Sequence, residues 1–141
     1  MMNLTIRPET RMDHKNIHEV CSQAFGREAE SQLVEKLREL DQFDPRLSLV
    51  ADFDGKIVGY CLFLPIWVHS DLTEYPGLSL GPIAVLPAYQ NQGIGGELIR
   101  AGHQVGRSLG YRFVVLLGHP SYYPRFGYKV ASLWGLSNPW G

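Results

Sequence analysis

The segment SLGPIAVLPAYQNQGIGGELIRAGHQVGRSLGYRFVVLLG, residues 79–118, constrains the fold of this chain more than any other stretch. An apolar run ends at Leu86, three of the four positions 93–96 are glycine, and a second apolar run, RFVVLLG, closes the unit. Between the runs, Leu98, Ile99, Ala101, Val105 and Leu109 recur at helical spacing. Short apolar runs without alternation belong to strands buried on both faces, the kind found in parallel sheets. Strand, helix and strand in that order form a βαβ unit, for which a right-handed crossover is expected. Pro82 cannot donate to a ladder, so the first strand is expected to carry a bulge or an unpaired edge there.

The rest of the chain supplies the partners of that unit. LTIRP reads as a short strand, with Leu4 and Ile6 alternating against Thr5 and Arg7. A helix capped by Asp13 is expected to carry Ile17, Val20 and Ala24 inward and to stop at Gly26. A second helix spans 27–40, with Leu33, Val34, Leu37 and Leu40 as its stripe. LSLVADFDGKIVGYCLFLPIWV then reads as two strands joined at Asp54-Gly55, a strong hairpin signal. The 141 residues show no linker, repeat or low-complexity stretch, so residues 1–141 are expected to form a single domain. The fold class is α/β (α+β): a meander of strands feeding a central βαβ unit.

Glycine crowded between a strand and a helix makes room for a backbone turn or for an anion. A nucleotide-triphosphate loop needs a lysine after its last glycine, and Glu97 stands there. A dinucleotide fingerprint needs a third glycine where this chain has Leu98, and an acid after the next strand, where it has LLGHP. Two alternatives remain. Gln92, Gly93, Ile94, Gly95 and Gly96 either turn successive N–H groups toward a pyrophosphate at a helix N-terminus, or they form a tight turn that binds nothing.

Composition narrows the partners. A formal net charge of −1 gives a nucleic-acid partner no electrostatic support. The two cysteines, Cys21 and Cys61, are far apart and form no metal-ligand pair; they are expected as buried thiols in a reducing compartment, with no metal site. No apolar run is long enough to span a membrane and the N-terminus lacks a signal-peptide core, so the expected location is cytoplasmic.

Gln90-Asn91-Gln92-Gly93-Ile94-Gly95 matches the Q/R-x-x-G-x-G/A signature of the GCN5-related N-acetyltransferase (GNAT) superfamily, after an IAVLP strand and before an amphipathic helix. Downstream, GHPSYYPRFGY is similar to the family's Y-x-x-x-G-F/Y segment, with Tyr123, Gly127 and Tyr128 in register. Two motifs in order make the chain resemble the small bacterial members of this superfamily over nearly its whole length. The resemblance implies a mixed, mostly antiparallel sheet with a bulged strand, a parallel βαβ core, and helices on both faces.

It also implies acetyl-CoA as cosubstrate and acetyl transfer to a primary amine, on a small molecule or a peptide, by direct attack in a ternary complex. By this resemblance the amides of Gln92, Gly93, Ile94, Gly95 and Gly96, with Gln90 of the motif, cradle the pyrophosphate. The pantetheine arm pairs with Ile83, Ala84 and Val85, and an N–H at or near Val85 stabilises the oxyanion. Tyr123 stands where family members protonate the leaving thiolate, with Tyr122 beside it as the alternative. Arg125, or Arg100 or Arg107, is placed to reach the 3′-phosphate. A non-catalytic acyl-CoA-binding or sensing domain is the alternative function; Tyr123 favours the enzyme, because a sensor needs no acid beside the sulfur.

The general base has several candidates: Glu28, Glu30 and Glu35 on the second helix, Asp71 and Glu74 after WVHS, His69, and His119 at the end of the last buried strand. Family members commonly carry Asn or Asp where His119 stands. His14, His18 and His103 read as ordinary helix residues. The 13 residues after Tyr128 leave room for one strand rather than a closing hairpin. Either the sequence is truncated, or a last strand is missing and leaves an edge that a second copy would cover as a homodimer.

Overall fold

The computed structural model describes residues 3–70 and 73–116. In chain order the elements are β1 (Leu4–Pro8), α1 (His14–Phe25), α2 (Ala29–Arg38), β2 (Ser48–Phe53), β3 (Lys56–Ser70), β4 (Thr73–Val85), α3 (Ile94–Ser108) and β5 (Val114–Val115). The five strands lie side by side in sequence order. β1 to β4 pair antiparallel, and β5 joins β4 in parallel after the α3 crossover. The mixed, mostly antiparallel sheet implied by the resemblance is therefore present. Asp54 and Gly55 both take positive φ, 50° and 91°, as a two-residue hairpin turn between β2 and β3 requires.

Successive residues of a strand face opposite sides of the sheet. Gly59 lies under Ile94 and Leu98 of α3. Its neighbour Tyr60 points the other way, toward Ser48 and the α1–α2 side. Helices thus cover both faces, α1 and α2 on one and α3 on the other. Ile17, Val20 and Cys21 of α1 and Val34 of α2 are buried, as are Leu98 and Ile99 of α3. Gly102 allows α3 to settle onto β3: a Cβ there would stand 1.9 Å from a ring carbon of Phe63, which is itself fully buried.

The α1–α2 face also holds a buried polar cluster. The Glu9 carboxylate accepts from Arg38 Nε at 3.0 Å, from His14 Nε2 at 2.6 Å and from the Ser48 hydroxyl, which also meets Tyr60 Oη at 2.6 Å. Among the described residues no buried side-chain polar atom lacks a hydrogen-bond partner.

Several expectations need correction. The Asp13 side chain does not cap α1; it accepts from Thr10 N at 2.7 Å and from Arg7 Nη1 at 2.8 Å. The α2 helix ends at Arg38, so Leu40 lies beyond it. Leu40 is 41% exposed and Leu33 45%, because the helix docks through Ser31 and Val34 instead. His14 and His18 are not idle helix residues, since both bond to carboxylates. Phe113–Leu116 are half-buried rather than fully buried; among the described residues β5 is the outer strand, with a neighbour on one side only.

Candidate active site

The site forms where β4 passes into α3. β4 pairs with β3 along its length, but the register shifts between Cys61↔Ile83 and Phe63↔Leu80. Gly81 and Pro82 on β4 stand opposite the single residue Leu62 on β3, and this one extra residue forms the bulge that the proline called for. On the other edge, Leu78 and Ser79 pair with Val114 and Val115. Past that point the only strand beside β4, among the described residues, is β3.

The register shows what the open edge offers. Leu86 N donates to Val58 O at 2.9 Å across the continued ladder, so these two residues form a hydrogen-bonded pair. Hydrogen-bonded and non-hydrogen-bonded pairs alternate along an antiparallel ladder. Ala84 therefore turns its N–H and C=O toward Tyr60, while Ile83 and Val85 turn theirs away from β3, toward the open edge.

A 3-10 turn at Pro87–Tyr89 leads from this edge to the glycines. Gly93 has φ 84° and ψ 5°, a left-handed conformation that glycine adopts without a Cβ penalty. Ile94 then starts α3. A left-handed residue followed by helical ones makes a concave nest of N–H groups. The first intrahelical bond runs from Glu97 N to Gly93 O at 3.1 Å, so the N–H groups of Ile94, Gly95 and Gly96 precede the ladder. A helix N-terminus of this form accepts an anion without a lysine. The strand edge and the nest together suit a ligand with an amide-bearing arm and a pyrophosphate.

The other named residues divide into three groups. Tyr122, Tyr123, His119, Arg125 and Asp71 lie outside the described residues. Glu28 and Glu35 both contact His18, Glu30 pairs with Arg27, and Glu74 pairs with His69 at 3.2 Å. Arg100 stands 3.7 Å from Glu97 on α3. His69 lines a shallow groove of about 810 Å³, with Trp67, Tyr111 and the 41–46 loop, at the opposite end of α3 from the glycine turn. No group of three or more His, Cys, Asp or Glu side chains among the described residues is arranged to hold a metal. No helix of the described residues is long and apolar enough to cross a membrane.

The Glu9–Ser48–Tyr60–Arg38 cluster had no sequence signal, because it joins positions from α2, β2, β3 and the loop after β1. Burial holds the Tyr60 hydroxyl well above its ordinary titration range. Burial likewise pushes the Cys21 thiol up to about 12 and the Cys61 thiol well above its usual value.

A bulged strand with an open edge beyond it, leading through a glycine turn into a helix N-terminus, matches one known family. The model of the acetyltransferase (GNAT) family matches residues 14–128. The chain belongs to this family. It is 39% identical over 127 residues to the uncharacterized N-acetyltransferase YjhQ of Escherichia coli K12, covering 90% of this chain and 70% of that protein. Identity to the E. coli uncharacterized N-acetyltransferase YhbS is 36% over 138 residues, 97% of this chain and 80% of that protein. The crystal structure of E. coli YhbS in complex with CoA superposes with a TM-score of 0.84 at 34% identity, covering 94% of this chain and 72% of the other. A GNAT family acetyltransferase from Brucella melitensis, in complex with acetyl-CoA, superposes with a TM-score of 0.82 at 39% identity over 91% of this acetyltransferase and 84% of that chain.

Proposed function

We propose that this acetyltransferase moves the acetyl group of acetyl-CoA to a primary amine by direct attack in a ternary complex. The observation that carries the proposal is the pairing of an open β4 edge with a nest at the α3 N-terminus. In this reading the pyrophosphate rests on the amides of Gly93, Ile94, Gly95 and Gly96, with Gln92 at the entry. The pantetheine arm pairs with Ile83 and Val85. Ala84 contributes no polar backbone group there, because its own face β3. The amine nitrogen attacks the thioester carbon, and an N–H of the β4 edge stabilises the oxygen that gains charge. The carbon–sulfur bond then breaks, and the sulfur takes a proton from Tyr123, or from Tyr122 beside it. The amine gives up its own proton to a base, for which we take His119, directly after the RFVVLLG run, as the candidate. Arg125 is assigned to the 3′-phosphate. The amine is a small molecule such as a polyamine or aminoglycoside, or a peptide N-terminus, and the enzyme works in the cytoplasm, where two buried free thiols stay reduced.

Thermal unfolding with acetyl-CoA, CoA, NADH and ATP tests the cofactor. A ligand at ~100 times its Kd stabilises by about 2.7 kcal/mol, enough to raise the midpoint by several degrees. The expected result is a shift with acetyl-CoA and CoA and none with NADH or ATP. An amine screen follows, in which Tyr123→Phe lowers kcat by roughly 10²-fold. Binding without turnover across the screen would favour the acyl-CoA-sensing alternative, and absence of any shift would remove the proposal.

A further inference from the structure

We propose that Gln90 is a positioning residue that fixes the spacing between the β4 edge and the glycine turn, acting through Val85 rather than on the ligand. This inference rests on acetyl-CoA as the cosubstrate and deepens that reading. Gln90 Nε2 donates to the Val85 carbonyl at 3.0 Å, back across the 3-10 turn. Val85 is one of the two residues whose backbone groups face the open edge. A carbonyl oxygen has two lone pairs, so the tether leaves one for an amide of the arm.

Among the described residues, the other holds on the segment that Gln90 ties down are local: Tyr89 N donates to Leu86 O at 2.8 Å and Gln90 N to Pro87 O at 3.4 Å. Pro87, Ala88 and residues 90–93 are exposed. On the side toward the β2–β3 hairpin, Tyr89 packs against the Phe53 ring at 5.8 Å, with Lys56 Nζ 5.4 Å from its ring centre. A weaker bond, Gln92 Nε2 to Ala88 O at 3.5 Å, stays within the turn. Gln90 alone among these contacts links the turn to the open edge. Asn91, next in the chain, already sits at φ 61°, so the path into Gly93 is set by backbone angles that a loosened anchor would release.

The consequence concerns ligands that must touch both places at once. CoA spans the edge and the nest, so its affinity depends on their spacing. Pantetheine, which lacks the pyrophosphate, meets only the edge. Loss of the tether is therefore expected to weaken the first and spare the second.

Calorimetric binding of CoA and of pantetheine to the wild type, Gln90→Met and Gln90→Asn tests the idea. Methionine keeps the length and lacks the donor; asparagine keeps the amide and is one methylene too short. Both variants should bind CoA about fivefold more weakly, the equivalent of one ordinary hydrogen bond, with pantetheine changed by less than about twofold. Amide exchange in the ligand-free Gln90→Met protein should quicken over residues 91–96 and stay unchanged in β2 and β3. An equal loss for both ligands would mean that Gln90 serves the edge itself, and no loss for either would mean that the tether is idle; each overturns the inference while wild-type CoA binding stands. A wild type that fails to bind CoA removes the acetyl-CoA reading, and this inference with it.

Discussion

Both ring nitrogens of His18 face carboxylates, Nδ1 on Glu35 at 2.7 Å and Nε2 on Glu28 at 2.6 Å. A carboxylate only accepts, so each nitrogen donates and the ring is an imidazolium in this geometry. The bond to Glu35, and then that to Glu28, raises the His18 pKa above its ordinary 6.5. A group whose folded pKa is raised stabilises the protein fully below its unfolded pKa and loses that contribution as pH rises through the folded one. The His18 bridge between α1 and α2 is therefore complete below pH 6.5 and fades above it. Both glutamates are more than half exposed, so the effect is small. The urea midpoint of the wild type should exceed that of His18→Gln at pH 6, and the gap should close toward alkaline pH. A gap that widens with pH would show that the ring is neutral in the folded chain.

At the scale of elements, α3 must carry the nest at its N-terminus while lying flat on the sheet. Gly102 makes the second task possible. Replacing it with alanine improves intrinsic helix propensity by about 1 kcal/mol, but drives a methyl into the fully buried Phe63 ring. Overpacking of this kind costs about 1–3 kcal/mol. Phe63 lies beside the bulge register shift on β3, so displacement of its ring also disturbs the strand that backs β4. Chemical denaturation of Gly102→Ala should show a net loss of stability, and a gain would mean that α3 rides higher than described. Much of this element scale was legible beforehand: the βαβ order, the hairpin at Asp54-Gly55 and the bulge at Pro82 all follow from local chemistry. The exposure of Leu33 and Leu40 did not, because helical spacing defines a stripe but not where the helix ends or which neighbour it meets.

At the scale of the whole molecule, the two cysteines bear on the reaction path. Cys21 and Cys61 are both fully buried, with burial raising both thiols out of the range in which a thiolate forms at neutral pH. A covalent acetyl-enzyme on either sulfur is thereby disfavoured, and direct transfer is expected. Initial rates against both substrates should give intersecting double-reciprocal lines. A Cys21→Ala, Cys61→Ala double variant should keep kcat within about threefold, whereas a cysteine nucleophile is expected to lose catalysis by several orders of magnitude when removed. Parallel lines, or an inactive but folded double variant, would point to a covalent path.

The sequence by itself determined the order of the elements, the place of the bulge, the glycine turn and the family signature. Each depends on residues close together in the chain, where φ restriction, missing donors and period leave few options. Only the tertiary structure decided that Ile83 and Val85 face the open edge while Ala84 faces β3, since that depends on the register with a strand more than twenty residues earlier. It also decided that Glu28 and Glu35 answer to His18, and that Glu9, Arg38, Ser48 and Tyr60 meet inside the fold. Hydrogen bonds between distant positions leave no periodic trace in a sequence; they exist only once packing has brought the groups within reach.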